Sequence, residues 1–221
     1  MSIVSEHDCS TNSAAAPPAG RKLRLKARAE RMAETHERIA RAAYELHASV
    51  GPARTTISAI AERAGVQRLT VYNHFPHDRD IFQACTGYFL TLDPPPDPTA
   101  WGQVADPRQR LRRALAELYA YFHRNESLFE NVQRDLRVIL EQIGGAPPPN
   151  LQANLAQPTR WREALAVGWP DDAAHAPLRR AALGLAVGFH TWQTLVRQQG
   201  LDDVAAVDLM ATLVECAASP H

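Results

Sequence analysis

Apolar residues recur at intervals of three and four along most of this chain. Ile39, Ala43, Leu46 and Val50 mark a first helical stripe, and Gly51-Pro52 ends it. Ile57, Ile60, Ala61 and Ala64 mark a second, with Thr55 or Thr56 placed to cap the free amides at its start. Gly65 closes that helix, because glycine enters the left-handed conformation of a helix C-terminus without strain, and Val66 plugs the corner. Val71 and Phe75 then lie four apart. They anchor a short third helix that leaves Gln67, Arg68, Leu69, Thr70, Tyr72, Asn73 and His74 largely on its outer side. A helix, a glycine corner and a short helix with a hydrogen-bonding outer face make a helix-turn-helix, whose second helix fits the DNA major groove.

Breaks at "DPPPDP" (residues 93–98) and "GGAPPP" (144–149) divide the remainder into further helices. Asp106-Pro107 supplies a cap and a first-turn proline for a helix striped by Leu111, Leu115, Leu118 and Phe122. Leu128, Val132, Leu136, Ile139 and Ile143 stripe the next, and a third is expected from Leu151 to Trp169, kinked or split by Pro158. One helix is expected from Pro177 to Gly200, with Leu178, Ala182, Leu185, Phe189, Trp192 and Val196 on one face. Gly184 and Gly188 lie on another face, where they point to a close backbone approach. The last, from Asp203 to Ala218, is apolar on two sides through Val204, Val207, Leu209, Met210, Leu213 and Val214, so it wants cover on both. No alternating strand pattern of useful length occurs, and the chain reads as all-α.

Composition adds bounds. The 221 residues, 45% hydrophobic, furnish a real core. The net charge is zero but uneven. Residues 1–32 carry six basic groups against three acidic, residues 33–82 balance, and residues 83–221 are slightly acidic. Residues 1–32 read as a disordered basic arm, in which "RKLRLKAR" is either a solvated tail or a contact for a narrow minor groove. Residues 33–82 form the DNA-binding domain, and residues 83–221 a helical body. No apolar run spans a membrane or makes a secretory signal, so a cytoplasmic location is expected. Cys9, Cys85 and Cys216 lie far apart without ligand spacing and read as reduced thiols.

"RIARAAYELHASVG", "TTISAIAERAGV" and "LTVYNHFPHDRDIF", all within Arg38 to Phe82, resemble the DNA-binding domain of the tetracycline-repressor (TetR) family of bacterial regulators. The resemblance covers about a fifth of the chain, and its order of residues is far more specific than a glycine at a turn. Departures stand where the family uses other residues. Gln67 replaces a Ser that caps the recognition helix, Leu69 a small residue, and Asp78 a phosphate-binding Lys; Arg79 or the basic arm would compensate for the last. His47 replaces a Phe and reads as a half-buried core histidine rather than a sensor.

Arg68 suits a bidentate contact to guanine, Asn73 an adenine, and Leu69 a thymine methyl. Gln67 opens this least family-like stretch, "QRL", which is the part set to choose the operator. Thr70, Tyr72 and His74 resemble family positions that reach phosphates, and Thr56 adds a contact at the start of its helix. The resemblance further implies a two-fold homodimer through the last two helices, a palindromic operator with half-sites about one DNA turn (roughly 34–36 Å) apart, and repression released by a small-molecule effector bound in the body. Tyr119, His123, Trp161, Trp169, Phe189, His190 and Trp192 interrupt the stripes and are the candidate effector residues; such a lining suits an apolar or aromatic effector. The nine histidines are scattered without a convergent catalytic or metal set, so no enzyme activity, metal or cofactor is expected. A cysteine-based redox regulator, an effector-independent regulator and an activator are the alternative readings.

Overall fold

The computed structural model describes residues 19–169 and 174–217, and every regular element among them is helical. The chain divides into two compact units, residues 1–36 and 37–221. Helix α1 spans Ala19–Ser49, so residues 19–32, expected within a disordered arm, are helical instead. From Arg21 to Ser49 there is neither glycine nor proline, and Arg, Lys, Leu, Ala, Glu and Met are all strong helix formers. Lys26 adds an i,i+4 pair with Glu30 at 3.9 Å. In the first unit the side chains from Leu23 to Glu34 are almost all exposed, and residues 1–18 of the expected arm lie outside the described residues.

The second unit begins with the rest of α1, followed by α2 (Ile57–Ala64), α3 (Arg68–His74) and α4 (Asp78–Leu92). Ile39, Ala43, Leu46, Ile60, Ala61, Ala64, Val71 and Phe75 pack into one core with Ile81 and Cys85 of α4. Their stripes meet because each helix buries a single face. Val50, expected on the first stripe, is instead exposed, since the helix ends at Ser49 before another turn can carry it inward. A boundary between residues 82 and 83 falls inside α4, which runs unbroken through it.

The body comprises α5 (Pro98–Trp101), α6 (Pro107–Arg124), α7 (Glu126–Ile143), α8 (Pro149–Leu155), α9 (Gln157–Leu165), α10 (Ala176–Ala186), α11 (Phe189–Gln193) and α12 (Asp203–Ala217). Asp106 caps α6 by accepting from the Arg108 amide at 3.1 Å, with Pro107 in the first turn. Leu111, Ala114, Leu115 and Leu118 of α6 are fully buried, packed in one core with Ala206, Met210, Ala211 and Val214 of α12. Each buried leucine contributes about 1.5–3 kcal/mol. The Leu151–Trp169 helix divides into α8 and α9, because Pro158 in the first turn of α9 has no amide with which to continue the ladder.

The single helix expected from Pro177 to Gly200 breaks at Val187-Gly188. Gly188 is extended (φ −84°, ψ 132°) and starts α11, which passes into a π-helical turn at Thr194–Gln198. The close backbone approach expected of the two glycines occurs at Gly188, where a Cβ would lie 3.2 Å from the Leu185 carbonyl oxygen; at Gly184, among the described residues, it would meet only the Arg162 Cδ at 3.8 Å, an ordinary contact. Leu178 and Leu185, expected beside Phe189 and Trp192, are exposed, because the break turns α10 relative to α11. They join Val204, Leu209 and Leu213 as outward apolar residues of α10 and α12, two helices that pack together.

Candidate nucleic-acid interface and ligand cavity

Local chemistry positions α3. Thr56 caps α2, its hydroxyl oxygen accepting from the Ala59 amide at 3.1 Å. Gly65 stands in the left-handed region (φ 66°, ψ 40°), and the Val66 amide returns to the Ala61 carbonyl at 2.9 Å. Arg38 of α1 clamps this corner from outside, donating to the Ala64 carbonyl at 2.8 Å and the Gly65 carbonyl at 3.3 Å. Gln67 occupies the cap position of α3 without a side-chain bond to the helix. With Val71 and Phe75 buried, Gln67, Arg68, Leu69, Tyr72 and Asn73 are exposed, and Thr70 and His74 half-buried. Arg79 is exposed in the first turn of α4 beside Asp78, and the His77 amide there donates to Asp80 at 3.1 Å. Neither Arg68 nor Arg79 is paired with a carboxylate among the described residues, so both guanidinium charges are available to an anion.

A cavity of about 420 Å³ lies behind this head. Tyr44 and His47 of α1 and Phe82 and Cys85 of α4 wall it on one side. Phe122, Phe129, Leu136, Trp161 and Phe189 belong to the wall contributed by the body. Among the described residues no Asp, Glu, Lys or Arg lines it. His47 is 4% exposed, stacks on Phe82 with ring centroids 5.4 Å apart, and places Nδ1 3.3 Å from Cys85 Sγ. Burial pushes His47 down to about 4 and the Cys85 thiol up to about 12, so both are uncharged near neutrality.

The same helices tie cavity to head. On α7, Asp135 accepts from the Ala53 amide at 3.0 Å and from Arg134 Nε at 2.8 Å, and Asn131 donates to the Ala48 carbonyl at 2.8 Å. Arg134 also donates to the Val50 carbonyl at 3.2 Å. This polar grip holds the end of α1 and the 3₁₀ turn Pro52–Arg54 that leads into α2, while Val132 and Leu136 of α7 face the cavity. These hydrogen bonds connect α7 directly to the backbone that precedes α2.

Residues 39–85 match the model of the bacterial regulatory proteins of the tetR family. This stretch is a tetR-family helix-turn-helix DNA-binding domain, and the chain that carries it is a transcription regulator. Among solved structures, a TetR-like transcriptional regulator from Rhodococcus sp. RHA1 shares 17% identity, with a TM-score of 0.55 over 82% of this chain and 93% of that one. NalD of Pseudomonas aeruginosa, the secondary repressor of the MexAB-OprM multidrug efflux pump, shares 19% identity, with a TM-score of 0.53 over 83% and 96%. At these identities the likeness shows the fold. No curated protein matches the sequence.

In the body that follows this domain, the expected effector residues part company. Trp161, Phe189 and His190 line the cavity, and Tyr119, His123, Trp169 and Trp192 do not. Tyr119 donates to the Ala186 carbonyl at 3.0 Å, Trp169 to the Leu165 carbonyl at 2.9 Å and Trp192 to Asp203 at 2.9 Å, while His123 sits 3.1 Å from Asp203. Their polar ends serve the fold. Sequence reasoning passed over Arg38, Asn131, Asp135, Tyr44 and Tyr121. The spacing of Asn131 and Asp135, four apart on α7 and next to an apolar stripe, was the one local signal of a buried polar grip. No described helix is long and apolar enough to cross a membrane.

Proposed function

We propose that the chain is a dimeric repressor that binds a palindromic operator and is released from it when a small molecule occupies the 420 Å³ cavity. The observation that carries this reading is the shared wall: α1 and α4 contribute to the head's core and to the cavity with the same stretches of helix. An effector that binds only when these helices shift favours the DNA-free state, and a coupling of about 1–3 kcal/mol is typical of such regulators. The outward apolar residues of α10 and α12 supply the dimer face, which a second copy would cover. Residues 33–82 act as the head and residues 83–221 as the effector and dimerisation body. Burial of Cys85 as a protonated thiol favours a bound ligand over thiol oxidation at that position.

On DNA, Arg68 reads guanine, Asn73 adenine and Leu69 a thymine methyl, with Gln67 beside them at the helix start. Thr70, Tyr72, His74 and Arg79 hold phosphates. Thr56 joins them, since its oxygen accepts within α2 and its hydroxyl proton is free to donate outward. Genome-wide footprinting of the purified protein is expected to return a palindromic site; scattered, non-palindromic protection would refute the dimeric reading. Arg68→Ala is expected to cost about 1–3 kcal/mol at one base position of each half-site. Tyr72→Phe should instead weaken all sequences alike. Equal losses on operator and random DNA for Arg68→Ala would remove it from base reading.

A further inference from the structure

Two buried polar atoms have no hydrogen-bond partner among the described residues, the Tyr121 hydroxyl and the Gln157 Oε1, and both residues line the cavity. Tyr121 is 1% exposed, and burial raises its hydroxyl far above the ordinary phenol range, so it is a protonated donor at any physiological pH. A buried hydroxyl without a partner is costly, and folded proteins seldom leave one so unless something else meets it. Two other polar rings of the lining are engaged. His47 sits against Cys85, and Trp161 Nε1 donates to the Pro96 carbonyl at 3.1 Å.

We infer that the cavity takes a neutral, largely aromatic molecule carrying one hydroxyl-type group, which accepts from the Tyr121 hydroxyl and donates to Gln157 Oε1. The inference rests on the effector reading above and adds the ligand's chemistry to it. Aromatic rings line the cavity on several sides, with Phe122 edge-on to Phe189 at 5.7 Å and to Trp161 at 6.1 Å, so flat rings find both faces and edges to meet. A carboxylate would lose its hydration with no buried cation to receive it: His47 is neutral and His190 is exposed to solvent. A purely apolar ligand would leave both polar atoms unmatched.

Fluorescence titration of the full chain with 1-hydroxypyrene, pyrene and pyrene-1-carboxylate tests the class. Hydroxypyrene is expected to bind about tenfold tighter than pyrene, and the carboxylate weakest. Tyr121→Phe should remove much of hydroxypyrene's advantage over pyrene, the bond to Gln157 remaining, while leaving pyrene unchanged. Because the hydroxyl has no partner among the described residues, the same variant should leave the ligand-free Tm unchanged or raise it, by up to about 2–4 °C. A carboxylate that binds as tightly as the phenol, hydroxypyrene that fails to bind, or a Tyr121→Phe variant with a lowered Tm or equal losses for phenol and hydrocarbon would each overturn the inference. A gel shift on the footprinted site separates the two readings. Selective phenol binding that leaves the DNA complex intact keeps the ligand class and removes the effector role. Release by a compound of another class, with no phenol binding, does the reverse.

Discussion

Gly51→Ala is expected to lower the unfolding free energy by about 2–4 kcal/mol, the sum of backbone strain and a broken hydrogen-bond cluster. Gly51 sits at φ 94° and ψ 155°, between α1 and the turn that leads to α2. A Cβ there would overlap the Arg134 guanidinium and lie 2.6 Å from Asp135 Oδ2. Arg134 can swing away, but Asp135 is short, 6% exposed and bonded to the Ala53 amide, so its carboxylate has nowhere to move without losing that bond. Gly200→Ala is the control. Gly200 also has a positive φ of 73°, but a Cβ there meets nothing within 4 Å, so it reports a positive-φ cost without any clash, about 1–2 kcal/mol. Urea unfolding of both variants decides the matter: equal losses at the two positions would show that the grip of α7 on Gly51 adds nothing. Because this grip links cavity to head, Gly51→Ala should also weaken operator binding, whereas Gly200→Ala should spare it.

The second large effect is on pH dependence. Native His47 is depressed to about 4 by burial, with the Asp135 charge opposing weakly, and on unfolding it returns to its ordinary 6.5. The unfolded chain therefore binds this proton first as pH falls. His47 leaves stability untouched above about pH 6.5, removes it progressively from there to about pH 4, and adds no further loss below, roughly 3 kcal/mol in all. His47→Phe cannot titrate, and its ring can keep the stack on Phe82. The difference in unfolding free energy between wild type and variant should shift by about that amount between pH 7 and 4, in the direction of the variant. Carboxylates such as Asp135 and Glu126, held low by hydrogen bonds from Arg134 and Arg197, also lose their contribution as pH falls, but they do so in both proteins. Parallel stability curves would show that His47 is not buried as a neutral ring.

The helix-turn-helix was legible because its determinants are local. Thr56 caps three residues away, Gly65 closes the helix it follows, and Val71 and Phe75 lie one turn apart, so spacing alone specifies which side is buried. The same logic misled where a local pattern was continuous but the chain was not. Residues 21–32 are polar enough to suggest disorder, yet they are uninterrupted helix formers. The stripe from Leu178 to Val196 is periodic, yet Gly188 breaks it and turns Leu178 and Leu185 outward.

By itself the sequence determined an all-α chain with a family-specific DNA-binding corner, since helical periodicity, caps and glycine geometry act over three or four residues. Only the tertiary structure decided which aromatics face a cavity and which anchor the fold. Trp161 and Trp192 both donate a ring N–H within the fold, to Pro96 and Asp203, but only Trp161 also borders the cavity. Tyr121 and Gln157 acquired meaning in the same way. A cavity is the space that remains when helices far apart in sequence pack, so its lining and its unpartnered atoms depend on distances that no local spacing encodes.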